Sequence, residues 1–110
     1  MQKIKEIFLE SYVNLTYDST MNLVITNRKA QKQIKKLPIH VARKLQRWSE
    51  QVETLGIKAI RKQPGYHDEP LKGERAGQRS IRLSKAYRAF YVEHNDMIII
   101  KVIEVNKHDY

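Results

Sequence analysis

The chain contains no cysteine among its 110 residues. Disulfides and thiolate metal sites are thereby excluded, and the composition is compatible with a reducing, cytoplasmic compartment. No apolar run approaches the roughly 20 residues of a membrane span. The N-terminal stretch Met1-Gln2-Lys3-Ile4-Lys5-Glu6 has no continuous apolar core and no small-residue cleavage site, which argues against a secretory signal. There is no internal repeat, no low-complexity segment and no interdomain linker. Glycine forms no phosphate cradle either: Gly73-Glu74-Arg75-Ala76-Gly77 lacks the lysine and hydroxyl of a P-loop. Acidic residues are scarce where bases are dense, Glu74 being the only acid between Lys72 and Arg88.

What is present is positive charge. A net charge of +9 in so short a chain points to a polyanionic partner, nucleic acid ahead of an acidic protein, because the bases are concentrated at 28–62 and 72–88. A basic protein without such a partner is the plainer alternative. The length and a hydrophobic fraction of 41% support one domain with one modest core.

The apolar pattern predicts the elements. Asn22 to Thr26 reads as a strand, with Thr26 or Asn27 able to cap the helix after it. Ala30, Ile34 and Leu37 line that helix, and Pro38 ends it or opens the next. Val41, Leu45, Trp48, Val52 and Leu55 then recur at helical spacing until Gly56 stops them. Ile57 to Asp68 is read as a loop with one helical turn, and Pro64-Gly65 as a turn. Arg79 to Ser84 alternates, Tyr87 to Glu93 is a strand, and Met97 to Val105 is a mostly apolar strand, expected in the sheet centre and buried on both faces. The fold class expected is α+β: a small antiparallel-rich sheet in the order β-α-α-β-β-β, with a helical hairpin packed on one face. Residues 21–110 form this domain, and residues 1–20 are an appendage outside it.

Metal chemistry finds no support. Adjacent His67, Asp68 and Glu69 cannot all turn onto one ion, and a two-metal nuclease needs more carboxylates than the strand region holds. Ser80, His108 and Asp109 make a triad only formally, since no nucleophile elbow or oxyanion hole accompanies them. The remaining residues suit metal-free, cofactor-free cleavage of RNA, whose own 2′-hydroxyl is the nucleophile. That reaction needs a base, cations about the phosphate and an acid for the leaving oxygen. Glu69 suits the base, and it equally suits a salt bridge with Lys72 or Arg75. Arg82 and Arg88 suit the phosphate, because a guanidinium fork matches its oxygens, and they equally suit a solvated sheet face. Lys72, Arg79 and Lys107 add charge for RNA binding. His108 suits the acid, and Tyr110 suits base stacking or assistance to the acid.

These residues resemble a known family. Glu69-Pro70-Leu71-Lys72-Gly73, Gln78-Arg79-Ser80-Ile81-Arg82-Leu83, Tyr87-Arg88-Ala89-Phe90-Tyr91 and the terminal His108-Asp109-Tyr110 look like the RelE/ParE superfamily of bacterial toxins. Within it they are most similar to the HigB-like and YoeB-like mRNA interferases. The resemblance spans residues 21–110. It implies the toxin of a type II toxin–antitoxin system that enters the ribosome and cuts mRNA, with a cognate antitoxin, mRNA and ribosomal RNA as partners and with no membrane or metal. By motif, Glu69 falls on the acidic position before the Pro-Leu-Lys-Gly turn, Arg82 and Arg88 on phosphate-binding strand arginines, and His108 and Tyr110 on the C-terminal pair. The tail departs from the pattern in having Asp109 between that pair. Two other functions remain open at this point: a ParE-like inhibitor of gyrase, and a nucleic-acid-binding module without catalysis.

Overall fold

The computed structural model describes residues 22–94 and 99–107. Strand β1 (Leu23–Thr26) leads into helices α1 (Arg28–Ile34), α2 (Ile39–Leu55) and α3 (Ile57–Arg61). A 3₁₀ turn (Pro64–Tyr66) follows, then the short strand β2 (Glu69–Pro70), a second 3₁₀ turn (Gly73–Arg75), and strands β3 (Arg79–Arg82), β4 (Tyr87–His94) and β5 (Ile99–Lys107). The sheet order is β1-β5-β4-β3-β2; β1 runs parallel to β5 and all other pairs are antiparallel. This is the expected α+β architecture, enlarged by β2 and α3.

Local chemistry sets the helix ends. Asn27 caps α1, its side-chain oxygen accepting from the Ala30 N–H at 2.8 Å. Pro38 stands at the N-cap of α2. Gly56 ends α2 at φ 88°, ψ 151°, a conformation open in practice only to glycine. It also starts α3, the one helical turn expected within 57–68, which is tied to the core by buried Ile57 and Ile60.

One face of the sheet packs on the helices. The α2 stripe of Val41, Leu45, Trp48 and Val52 is fully buried against Ile81, Tyr91, Ile100 and Val102. Trp48 and Tyr91 meet with ring centroids 5.3 Å apart and planes at 49°, a tilted aromatic contact worth about 1 kcal/mol beyond burial itself. Leu55, read as the last residue of that stripe, is instead 60% exposed; it is the final residue of the helix, past the last buried position of the stripe at Val52. Helix α1 sits alongside the half of β5 that β1 does not reach, and Gln33 Oε1 accepts from the Val105 N–H at 2.6 Å. A side chain thus closes an edge that would otherwise expose an unpaired donor.

Strand β5 is an inner strand between β1 and β4, the sheet centre being β4, and only one of its faces is fully buried. Ile100, Val102 and Val105 enter the core, while Ile99, Lys101 and Asn106 are half-exposed. The core positions step by two and then by three because the register shifts: Phe90 faces Glu104 while Tyr91 faces Val102. This bulge carries Ile103 as the extra residue and resets which side chains point inward. Met97, the expected strand start, lies outside the described residues, as do residues 1–20.

Candidate active site

The sheet face away from the helices carries the candidate site. Directly paired residues of antiparallel strands project to the same side. Arg82 on β3 faces Arg88 on β4, and Arg88 faces Asn106 on β5. The neighbouring row on this face runs Glu69, Ser80, Phe90, Glu104 across β2, β3, β4 and β5. The structure therefore brings Glu69, Arg82 and Arg88 onto one open surface. Glu69 is exposed, and both arginines are half-exposed. Arg88 donates an Nη1–H to Ser80 Oγ at 3.1 Å, which links the two rows. Arg82 Nε has no hydrogen-bond partner among the described residues.

Glu104 organises the far side of this surface. Its Oε1 accepts from Lys29 Nζ and from Arg75 Nη2, each at 3.1 Å, and its Oε2 accepts from Asn106. Burial disfavours the charged carboxylate, but the hydrogen bonds from Lys29, Asn106 and Arg75 outweigh it and hold the carboxyl below its ordinary range. Arg75 comes from the loop between β2 and β3, which folds over the sheet. Its guanidinium carbon lies 4.1 Å from the centre of the Phe90 ring, and its Nε donates to Gln78 Oε1 at 2.8 Å. Sequence reasoning gave Arg75 no role beyond a salt bridge to Glu69. Its partners Phe90 and Glu104 lie 15 and 29 positions further on in sequence, and nothing local signals such a contact.

Arg79 requires a correction. It was expected to add charge for RNA binding, but strand alternation turns it away from Arg82 and Arg88 to the helix-bearing face, opposite Tyr91. There Arg79 Nε donates to Asp68 Oδ1 at 2.6 Å, and Tyr91 Oη–H donates to Asp68 Oδ2 at 2.5 Å. Arg61 adds an ion pair to Asp68 at 3.8 Å, a hydrogen bond to Tyr91 Oη at 3.3 Å and a contact with Glu93. The Asp68 side chain is 1% exposed. Burial, followed by the hydrogen bond to Asp68, pushes the Tyr91 hydroxyl well above its usual range. For Arg79, burial pulls the other way, and the hydrogen bond and charge of Asp68 outweigh it and raise the guanidinium. This network braces the residue that precedes Glu69. His67, at φ 46°, makes the reversal that turns Asp68 inward.

Lys72 is exposed in the loop after β2, and Lys107 is exposed at the end of β5, paired with Tyr87 beside the Arg88–Asn106 pair. His108 and Tyr110, with Asp109, lie outside the described residues. Among the described residues no group of three or more His, Asp or Glu side chains is placed to hold a metal ion, and no helix is long and apolar enough to cross a membrane. Exposed basic side chains, among them Arg28, Lys29, Lys32, Lys35 and Lys36, cover α1 and the turn after it, beside the edge where Lys29 reaches Glu104.

No protein-family model matches the chain, and a comparison with curated proteins returns no match. The fold itself has known counterparts. The structure of the RelBE2 toxin–antitoxin complex from Mycobacterium tuberculosis superimposes with a TM-score of 0.60 at 18% identity, covering 81% of this chain and 100% of that one. The archaeal RelE–RelB complex from Pyrococcus horikoshii gives 0.62 at 19% identity, over 80% and 96%. The heterotetrameric YoeB–YefM toxin–antitoxin complex from Staphylococcus aureus gives 0.60 at 18% identity, over 81% and 98%. The likeness read from the strand motifs thus holds in three dimensions: this chain has the RelE/YoeB-type toxin fold.

Proposed function

From that fold, we propose that the chain is the toxin of a type II toxin–antitoxin pair and that it acts as a ribosome-dependent endoribonuclease on mRNA. The observation that carries the reading is the cross-strand pair Arg82–Arg88 with Glu69 in the adjacent row of the same open face. Two guanidinium groups directly opposite one another repel, and a phosphate between them offsets the repulsion. Glu69, the exposed carboxylate beside them, serves as the base that takes the 2′-hydroxyl proton. The oxygen then attacks the phosphorus, Arg82 and Arg88 stabilise the negative charge that builds on the phosphoryl oxygens, and the 5′ oxygen leaves with a proton. His108, with Tyr110 beside it, supplies that proton. Lys72 and Lys107 contribute positive potential along the path of the strand, and the basic surface of α1 draws in ribosomal RNA. The product is a 2′,3′-cyclic phosphate, and the scheme uses no metal. The open, shallow site holds few groups that fix the substrate, so the ribosome supplies the in-line geometry. A cognate antitoxin is the protein partner, and the compartment is the cytoplasm.

The test is primer extension on a reporter mRNA in a purified translation system, with wild type beside Arg88→Ala. Discrete cuts within codons at the ribosomal A site, lost in the variant, are the expected result. Translation that continues with uncut mRNA overturns the reading and directs attention to gyrase. Translation that stops with uncut mRNA leaves a binder without chemistry.

A further inference from the structure

We propose that Arg75, seated over Phe90, is a stacking platform that selects a purine base next to the phosphate held by Arg82 and Arg88. The inference rests on the proposed RNA substrate, not on cleavage. Arg75 and the two phosphate-binding candidates lie on the same sheet face. The row Ser80–Phe90–Glu104 is two residues along the strands from the row Arg82–Arg88–Asn106, a separation of about 6.6 Å. That is comparable with the distance from a phosphate to the base of its own nucleotide. A phosphate at one row therefore brings a base over the other.

The platform is built and oriented in advance. One side of the guanidinium lies on the Phe90 ring at 4.1 Å. Gln78 Oε1 holds its Nε at 2.8 Å, and Glu104 Oε1 holds its Nη2 at 3.1 Å. The Arg75 side chain is still 38% exposed, and since its inner side rests on the ring, its outer side is what meets solvent. A flat cation backed by an aromatic ring is a surface on which bases stack.

The same contacts dictate what is read. Guanine is recognised in-plane when two nitrogens of one arginine reach its O6 and N7. Here Nε and Nη2 are engaged by Gln78 and Glu104, which occupies the Nε–Nη2 edge and leaves the exposed face of the group as the surface a base meets. Stacking on a face responds to ring area. The platform therefore prefers purines over pyrimidines and treats adenine and guanine alike. Lysine in the same place supplies equal charge and no plane, which separates stacking from simple attraction to phosphate.

The experiment is fluorescence anisotropy of the full chain with labelled single-stranded tetranucleotides CACC, CGCC and CUCC. All carry 2′-O-methyl groups, so none is cleaved. For wild type, the adenine and guanine probes are expected to bind alike and about threefold or more tighter than the uracil probe. Arg75→Lys is expected to erase that difference while its affinity for CUCC stays within about twofold of wild type. Phe90→Leu removes the ring beneath and is expected to reduce the preference as well; it decides the matter if the lysine variant does not fold. Equal binding of the three probes by wild type overturns the proposal, as does a purine preference that survives Arg75→Lys, a marked preference for guanine over adenine, or no binding of any probe. Because the probes are uncleavable, failure here is separate from failure to cut mRNA, which primer extension reads.

Discussion

Arg82 on β3 and Arg88 on β4 are direct cross-strand partners, and among the described residues Arg88 donates to a neutral partner, Ser80 Oγ at 3.1 Å, while Arg82 Nε has none. Like charges directly opposite in a sheet are unfavourable. Their retention on an open face fits the phosphate proposed to lie between them. Arg82→Gln is therefore expected to leave the melting temperature unchanged or raised, while A-site cleavage falls on the order of 100-fold or more. Thermal melting and primer extension on the same preparation check both halves. A variant that melts early and cuts normally would show that Arg82 is a structural residue.

The network around Asp68 makes the opposite prediction. Its carboxylate is buried and holds Arg79, Tyr91 and Arg61. Asp68→Ala leaves those groups unpaired and is expected to destabilise the fold by about 3 kcal/mol or more. Asp68→Ala combined with Arg79→Ala should cost less than the sum of the single changes, since both remove the same contact. Urea titration of the four proteins gives the coupling directly.

Glu104 yields a pH dependence. Its folded carboxyl ionises below the ordinary value of 4.5. The unfolded chain therefore takes up the proton first as pH falls. The contribution to stability is present above that ordinary value and is lost as pH drops through the folded one. Glu104→Gln lacks this term. The stability gap between wild type and Glu104→Gln is expected to narrow as pH is lowered from about 5 to about 3. Denaturation curves across that range measure it, and a gap independent of pH would refute the assignment.

Gly56 is predicted to resist substitution for a backbone reason alone. A Cβ there would meet only Asn22 Nδ2 at 3.7 Å, an ordinary contact, but φ stands at 88°. Gly56→Ala is expected to cost roughly 1–3 kcal/mol, read by chemical denaturation. A neutral effect would mean that the α2–α3 junction relaxes freely.

Much of the fold was legible in the sequence because it depends on local periodicity. The α2 stripe of Val41, Leu45, Trp48 and Val52, the stop at Gly56 and the alternation in β3 need no distant information. Leu55 shows where that reading fails, since helical spacing says which side a residue faces and not how far along the helix burial continues. The bulge in β5 is similar: alternation breaks between Val102 and Val105 because the adjacent residues Phe90 and Tyr91 take partners two residues apart, Glu104 and Val102, on the neighbouring strand. In the candidate site, Glu69, Arg82 and Arg88 were grouped by their chemistry and motif, and strand register then placed them on one face. Arg79 was read as an RNA-binding cation from its charge, while alternation, one position from Ser80, puts it on the opposite face.

By itself, then, the sequence determined α1 and α2, four of the five strands, the single core and the positive charge, all of which follow from residue types at short spacing. Tertiary structure alone decided which strands neighbour one another. It thereby decided that Arg82 faces Arg88, that Asp68 is buried by Arg79 and Tyr91, and that Arg75 reaches Phe90 and Glu104. Those contacts join residues far apart along the chain. They form only once burial of the shared apolar face has set the order and register of the sheet.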